Sequence, residues 1–375
     1  MRKTNYLYSL IVSSLAMVLL AGCSSNPASP PTTALPVTAP APPAATPQIT
    51  GTNVYVVQAG RDPISTLVFP VTAGSGSTPS QEIPGSQVSV DGAGNIYVLD
   101  QKSYPSFAVT GINVYAPDLP VGKPVRSLPV GPGTKISAVH AMTVSAAGEI
   151  FVNDGTGIAV FGPTATGDAD PVRYIKDIGE GPSAAIKWSG YMVVDGSGNL
   201  YVGNNGEQPI VVFGPKDTGP VAPSRGISGP LTHLGKVGCA GGYAMFGIAV
   251  DSSEDVYVLY RCQMAPGALS EPLTVFEFDP TANGNVAPIR SVTAPGLGLG
   301  YSGTGLAVDS AGTIYVSAGD GNAATGYGPV VVEFSASASG TVTPSNILAS
   351  SAWSFITPPP GEDEWFDPSG TIAVR

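Results

Sequence analysis

The stretch Val90-Asp91-Gly92-Ala93-Gly94-Asn95-Ile96-Tyr97-Val98 decides how this chain folds. Its ends are strand formers, and its Asp-Gly-Ala-Gly-Asn centre has the residues of a tight turn. The phrase therefore reads as strand, turn, strand. It recurs at 194–202, 250–258 and 308–316, more weakly at 144–152, and in part at 370–374. The copies that start at 90, 144, 194, 250 and 308 lie 50 to 58 residues apart. A repeat of that length, with several strand signals in each copy, points to the blades of a β-propeller. There, stacking buries faces that one small sheet cannot bury alone.

Each repeat carries four strand signals, A to D from the axis outwards. Strand A is short and apolar, as in Gly247-Ile248-Ala249-Val250. Strand B is Ile-Tyr-Val-like, and strand C ends in an aromatic such as Phe161, Phe213 or Phe278. A connector then leads to strand D with the pattern aromatic-x-Pro-x3-Gly-x3-Pro. Pro163, Gly167 and Pro171 fill it in one repeat, Pro215, Gly219 and Pro223 in the next, and Pro280, Gly284 and Pro288 in the one after. A proline opening strand D suits an outer edge, where a missing N–H costs little. The near-continuous apolar runs of strands A to C fit blades buried on both faces.

The two ends of the chain complete each other. Residues 53–85 supply B (Val54-Tyr55-Val56), C (Leu67-Val68-Phe69) and D (around Ile83) signals but no A. The missing A signal stands at the far end, where Ser369 to Val374 parallels Ser302 to Val308. Five complete blades and one shared blade make six. Sharing the last blade between the termini closes the ring and removes free sheet edges.

Composition agrees with an all-β chain rich in turns: 375 residues with 48 Gly, 37 Pro and only 11% charged residues. The net charge of -11, with no cluster of Lys or Arg, excludes nucleic acid as a partner, since that needs a basic footprint. The first 22 residues read as a targeting segment: Arg2 and Lys3, an apolar stretch from Tyr6 to Leu20, then Leu20-Ala21-Gly22-Cys23. That last run resembles the bacterial lipoprotein lipobox. The resemblance implies that Cys23 is lipidated and becomes the first residue of the mature chain, and Ser24 implies export to the outer membrane. The body is then anchored to the membrane at the cell envelope, since several acyl chains on one Cys hold stably. Residues 23–50 follow as a lipidated Cys and a Pro-rich linker, extended at about 3.1 Å per residue. Residues 51–375 are the propeller. Cys239 and Cys262 meet an oxidising compartment after export, so a disulfide is expected between them. Over this spacing the chain-entropy estimate is about 3 kcal/mol.

The phrases at 90–98 and 194–202 resemble NHL repeats and, more loosely, the senescence-marker/gluconolactonase-like propellers. The resemblance covers 51–375 and speaks for fold. Its members include lyases, lactonases and pure binding modules, so it implies no single activity.

Several residue sets carry candidate chemistry. Asp91, Asp195, Asp251 and Asp309 recur at the A–B turn. They read as ligands or as Asx turns, and the turn is expected because every blade has the same need. Arg126, Arg173, Arg225 and Arg290 recur two residues after the connector Pro. They read as an anion ring or, as expected here, as exposed residues pairing with acids of the next blade. Asp100, Asp154 and Asn204 hold one repeat position after strand B, where oxygen ligands near an axis could hold Ca²⁺. The metal reading stands beside a structural one. His140 and His233 are the only histidines, too few for a lyase-type metal site.

Loops D–A and B–C share the face opposite the A–B turns and vary most in length, which is where a rigid scaffold carries function. Trp188, Tyr191, Tyr243, Phe246, Tyr301, Trp353, Phe355 and Trp365 gather there, either to stack on a sugar or partner chain or to cap the axial channel. The expected role is a ligand- or protein-binding module at the envelope, with an envelope protein or carbohydrate as partner. The alternatives are a Ca²⁺-dependent lactonase- or lyase-like enzyme and a structural scaffold for envelope assembly.

Overall fold

The computed structural model describes residues 53–58, 64–102, 106, 108–117, 123–177, 186, 190–204, 208–235, 242–263, 273–293, 300–319, 330–350 and 372–375. All of them fall in the second of two compact units, Ile49–Arg375.

Blade 1 takes β1 (Asn53–Gln58), β2 (Ser65–Pro70) and β3 (Gln81–Pro84) from the start of the chain. Blade 2 is β4 (Ser86–Val90), β5 (Ile96–Gln101), β6 (Val109–Tyr115) and β7 (Arg126–Pro129). Blade 3 is β8 (Ala141–Val144), β9 (Ile150–Asn153), β10 (Ile158–Phe161) and β11 (Arg173–Asp177). Blade 4 is β12 (Tyr191–Val194), β13 (Leu200–Gly203) and β14 (Ile210–Phe213), then a connector strand β15 (Gly219–Val221) and the outer β16 (Arg225–Ile227). Blade 5 is β17 (Gly242–Val250), β18 (Val256–Gln263), β19 (Thr274–Phe278) and β20 (Arg290–Thr293). Blade 6 is β21 (Gly300–Val308), β22 (Ile314–Gly319), β23 (Val330–Phe334), connector strand β24 (Gly340–Thr341) and β25 (Asn346–Ala349). A last strand, β26 (Ile372–Val374), returns to blade 1.

Each blade is an antiparallel sheet in the order A-B-C-D. The protein is therefore an all-β, six-bladed propeller. Blade 1 runs β26-β1-β2-β3, with Val54 opposite Val374, Tyr55 opposite Ala373 and Val56 opposite Ile372. Asn53 and Arg375 exchange both backbone hydrogen bonds, at 2.7 and 3.0 Å. The shared blade read from the two ends of the sequence is thus present, strand by strand.

The core divides by interface. Side chains alternate across each strand, so successive residues serve opposite neighbours. Val54 and Val56 pack with Ala307, Tyr315 and Val331 of blade 6, whereas Tyr55 and Val57 pack with Val88, Ile96 and Val98 of blade 2. Among the described residues six such clusters form, one at each blade boundary.

The outer D strands are not bare edges. In blades 2 to 6 the D strand is met by the connector of the following blade, as where the Gly167 N–H bonds the Ser127 carbonyl and the Gly76 N–H bonds the Ala349 carbonyl. β15 pairs in parallel with β11, β24 pairs in parallel with β20, and the Gly284 N–H bonds the Gly226 carbonyl. Gly219 and Gly284 sit at φ +70° and +71°, the left-handed region that glycine enters without steric cost, and this bends the connector across the boundary. The repeated connector Gly thus has a joining role.

Candidate functional site

At the A–B end the repeated Asp organises its own turn. Asp91 Oδ1 accepts the N–H groups of Ala93 (2.9 Å) and Asn95 (2.8 Å), and Oδ2 accepts the Tyr97 hydroxyl at 3.0 Å. Asp195, Asp251 and Asp309 do the same with Asn199 and Tyr201, Asp255 and Tyr257, and Thr313 and Tyr315. In blade 3 Ser145 takes the place of Asp and accepts the Glu149 N–H at 3.1 Å. The Asx-turn reading holds at every one of these positions.

The arginines correct the sequence expectation. They do not stand exposed opposite acids of the next blade. Arg126, Arg173, Arg225 and Arg290 lie over the rings of Tyr97, Phe151, Tyr201 and Tyr257 at 5.3 to 6.0 Å from ring centre to guanidinium. Their N–H groups reach main-chain carbonyls in the connector of the next blade: Ala165, Asp217, Pro280 with Ala282, and Ala336 with Ala338. Arg126, Arg225 and Arg290 also donate to the hydroxyl of the tyrosine below them. The acids in direct contact with them belong to their own blades: Glu149 lies 3.7 Å from Arg173, and Glu277 accepts from Arg290. In blade 6 Asn346 does the same work, donating to Glu333 and to the Ala73 carbonyl of blade 1, each at 2.9 Å. These residues stitch blade to blade, and their charge is not offered to an anion.

The proposed Ca²⁺ ligands keep to their own blades. Asp100 is exposed at the end of β5. Asp154 Oδ1 accepts from the Thr156 and Gly157 N–H groups, at 2.8 and 2.9 Å, and the Tyr174 hydroxyl bonds both carboxylate oxygens. Asn204 is buried and donates to the Gln208 carbonyl at 3.0 Å. Among the described residues no three His, Cys, Asp or Glu side chains gather as a metal set. The Asp154 carboxylate is thus taken up by its own B–C turn and the Tyr174 hydroxyl.

Of the loop aromatics, Tyr191 is buried in the core between blades 4 and 5, so it is not a surface platform. Phe246 is half-buried against the cluster between blades 5 and 6. Tyr243 and Cys262 stand opposite each other in the β17–β18 ladder, and Tyr301 lies in β21. The side chains of these three are outside the described residues, as are Cys23, Trp188, Cys239, Trp353, Phe355 and Trp365. His140 is exposed, and His233 stacks on Phe276 with ring centres 5.7 Å apart.

Two features were not foreseen. First, blades 5 and 6 lengthen their A–B ladders on the face opposite the A–B turns. Beyond a bulge between Met245 and Gly247, β17 adds the pairs Gly242–Gln263 to Met245–Tyr260. At about 3.3 Å per residue this raises the strand pair roughly 13 Å. β21 reaches Gly300, opposite Gly319. Second, the inner strands enclose an axial cavity of about 380 Å³, lined by one valine from each blade: Val90, Val144, Val194, Val250, Val308 and Val374. The signal for it was the first letter of each repeated phrase.

No protein-family model and no curated protein matches the sequence. Among solved structures the chain is similar to a protein of unknown function from Bacteroides caccae, at 14% identity and TM-score 0.48 over 79% of this chain and 93% of that one. It is also similar to a protein from Lactobacillus plantarum (12% identity, TM-score 0.45, 80% and 83% covered) and to virginiamycin B lyase from Staphylococcus aureus (11% identity, TM-score 0.37, 75% and 80% covered). Likenesses this remote concern fold alone, and the propeller assignment rests on the chain's own strand order.

Proposed function

We propose that this chain is an exported envelope lipoprotein, anchored through acyl chains on Cys23 and directed to the outer membrane, whose NHL-like propeller is a ligand- or protein-binding module. One observation carries the binding reading: the raised β17–β18 and β21–β22 ladders on the D–A/B–C face. Met245 and Tyr260 at its base pack into the boundary between blades 4 and 5, and the strand pair beyond them gives a partner a wall to dock against. The opposite face is taken up by turn and stitch contacts repeated around the ring. A hydrolytic reading finds no support in Asp100, Asp154 and Asn204, so binding is the better account. The partner class is an envelope protein or a carbohydrate. A Cys239–Cys262 disulfide at the outer end of the β17–β18 ladder belongs to the same proposal. Cys262 stands opposite Tyr243 there, and Cys239 precedes β17 by three residues.

The test uses the exported chain with Cys23→Ser, so that binding is not confused with anchoring. It should bind washed envelope sheets saturably, and trimming 242–244 with 261–263 should remove that binding while the melting curve stays cooperative. Equal binding by the trimmed chain would sink the proposal. A wild-type exported chain that carries no acyl group on Cys23 would sink the anchor.

A further inference from the structure

Five of the six blade boundaries are crossed by an arginine. Arg126, Arg173, Arg225 and Arg290 reach from blades 2, 3, 4 and 5 into the connector of the blade that follows. Arg375, at the end of blade 1, donates to the Asp91 and Gly92 carbonyls of blade 2 at 3.1 and 2.6 Å. Among the described residues no cation bonds across the sixth boundary, from blade 6 to blade 1. The neutral Asn346 makes that crossing. Its amide nitrogen donates to Glu333 of its own blade and to the Ala73 carbonyl of blade 1, each at 2.9 Å.

The same boundary buries an acid. Glu333 is 8% exposed, as is Glu277 at the matching place in blade 5. Glu277 has the Arg290 guanidinium as its donor, whereas Glu333 has only an amide. Glu333 shares a strand face with Val331, which packs against blade 1. The other titratable groups near it are Asp309, at the A–B turn of its own blade, and Tyr315 of β22. Blade 1 brings no counter-charge: β1, β2 and the connector 71–80 contain no Asp, Glu, Lys, Arg or His, and Glu82 of β3 accepts from Ser65 within its own blade. Taking a carboxylate out of water without a cation favours its neutral form. Burial accordingly raises the Glu333 carboxyl above its ordinary 4.5, the Asn346 hydrogen bond pulls it partly back, and the Asp309 charge raises it further.

We propose that the boundary between blades 6 and 1, where the ring closes, is a proton-sensitive seam, tight while Glu333 is protonated and loosened when it ionises. The folded chain holds this proton more tightly than the unfolded chain does. The contribution of the group is therefore whole below about pH 4.5 and is lost as pH rises through the folded value. The four boundaries after blades 2 to 5 place a guanidinium where the seam has an amide, so they lack this response.

The test is hydrogen exchange of the full chain carrying Cys23→Ser, at pH 4 and pH 8, corrected for intrinsic rates. Two connector amides report. The Gly76 N–H bonds the Ala349 carbonyl across the seam at 2.8 Å, and the Gly284 N–H bonds the Gly226 carbonyl across an arginine-stitched boundary at 2.6 Å. Protection of Gly76 should fall roughly threefold or more between the two pH values, beyond any change at Gly284. Glu333→Gln, which keeps the acceptor and removes the charge, should abolish the extra fall and melt higher than wild type at pH 8 but not at pH 4. Asn346→Arg, which supplies the missing cation, should abolish it independently, so the test survives if one variant fails to fold. Equal responses of Gly76 and Gly284 in the wild-type chain would overturn the proposal. So would an undiminished fall at Gly76 in a folded Glu333→Gln or Asn346→Arg chain.

Discussion

A buried tyrosine hydroxyl needs a partner, and Tyr97, Tyr201 and Tyr257 are each given two, an aspartate and an arginine. Tyr201 donates to Asp195 and accepts from Arg225, while its ring carries the guanidinium. Arg225 spends its remaining donors on the Pro280 and Ala282 carbonyls of blade 5. Arg225→Ala removes the stacking and leaves those carbonyls unmet, for a loss of about 2–3 kcal/mol. A fall of several degrees in melting temperature is the expected reading. Arg225→Lys should recover less than half of it, because an ammonium cannot reproduce the planar fork.

The same row sets the response to alkali. Burial, with the Asp91 charge behind it, pushes the Tyr97 hydroxyl up to about 12. Burial pushes Tyr201 to about 12 as well, against the opposing pull of Arg225. Tyr257 and Tyr315 are raised by burial too. In the unfolded chain a phenol titrates near pH 10, so above that pH the folded state binds more protons than the unfolded state. The contribution is whole below about pH 10 and is lost as pH rises toward about 12. Melting temperature should fall across that window, and less steeply in the Tyr97→Phe, Tyr201→Phe double variant. Parallel curves for the two chains would contradict this.

Among the elements, β26 is short for the work it does. Its three residues close blade 1, place Ile372 in the core against blade 6, and bring Arg375 to the turn of blade 2. Deleting 370–375 leaves the edge of β1 unpaired and opens the boundary between blades 6 and 1. The melting temperature should drop by at least five degrees or so, since a few kcal/mol are lost from a chain this size. An unchanged melt would show that the ring closes some other way.

This element was legible in the sequence because the strand phrase is local and repeats, so the missing copy at one end could be matched to the spare at the other. The connector Gly was legible as a position but not as a joint, because its partner is a main-chain carbonyl in another blade. The arginine stitch was misread for the same reason: its acceptors are carbonyls 39 to 57 residues away, which any residue type supplies. The long β17 was hidden by its bulge at Met245, which shifts the alternation by one residue. Asp154 looked like a ligand because a turn carboxylate and a metal carboxylate share one letter. The Thr156 and Tyr174 contacts that separate them appear only once β9 and β11 lie in one sheet.

At the scale of the whole molecule, stability is a closed cycle of six interfaces, each built from alternate residues of two blades. Opening any one boundary exposes a face on both sides, so the ring should melt as a unit. Closure is therefore the central claim, and one covalent measurement tests it most directly. Val54 and Val374 face each other next to the hydrogen-bonded pair Asn53–Arg375, which makes them a non-hydrogen-bonded pair with close side chains. Cβ atoms in such pairs lie about 4.5–5.5 Å apart, close to what a disulfide spans. The chain carrying Val54→Cys and Val374→Cys, oxidised in air and digested without reduction, should yield a peptide joining 54 to 374, with a raised melting temperature. Two free thiols at those positions in the folded chain would contradict the closed ring.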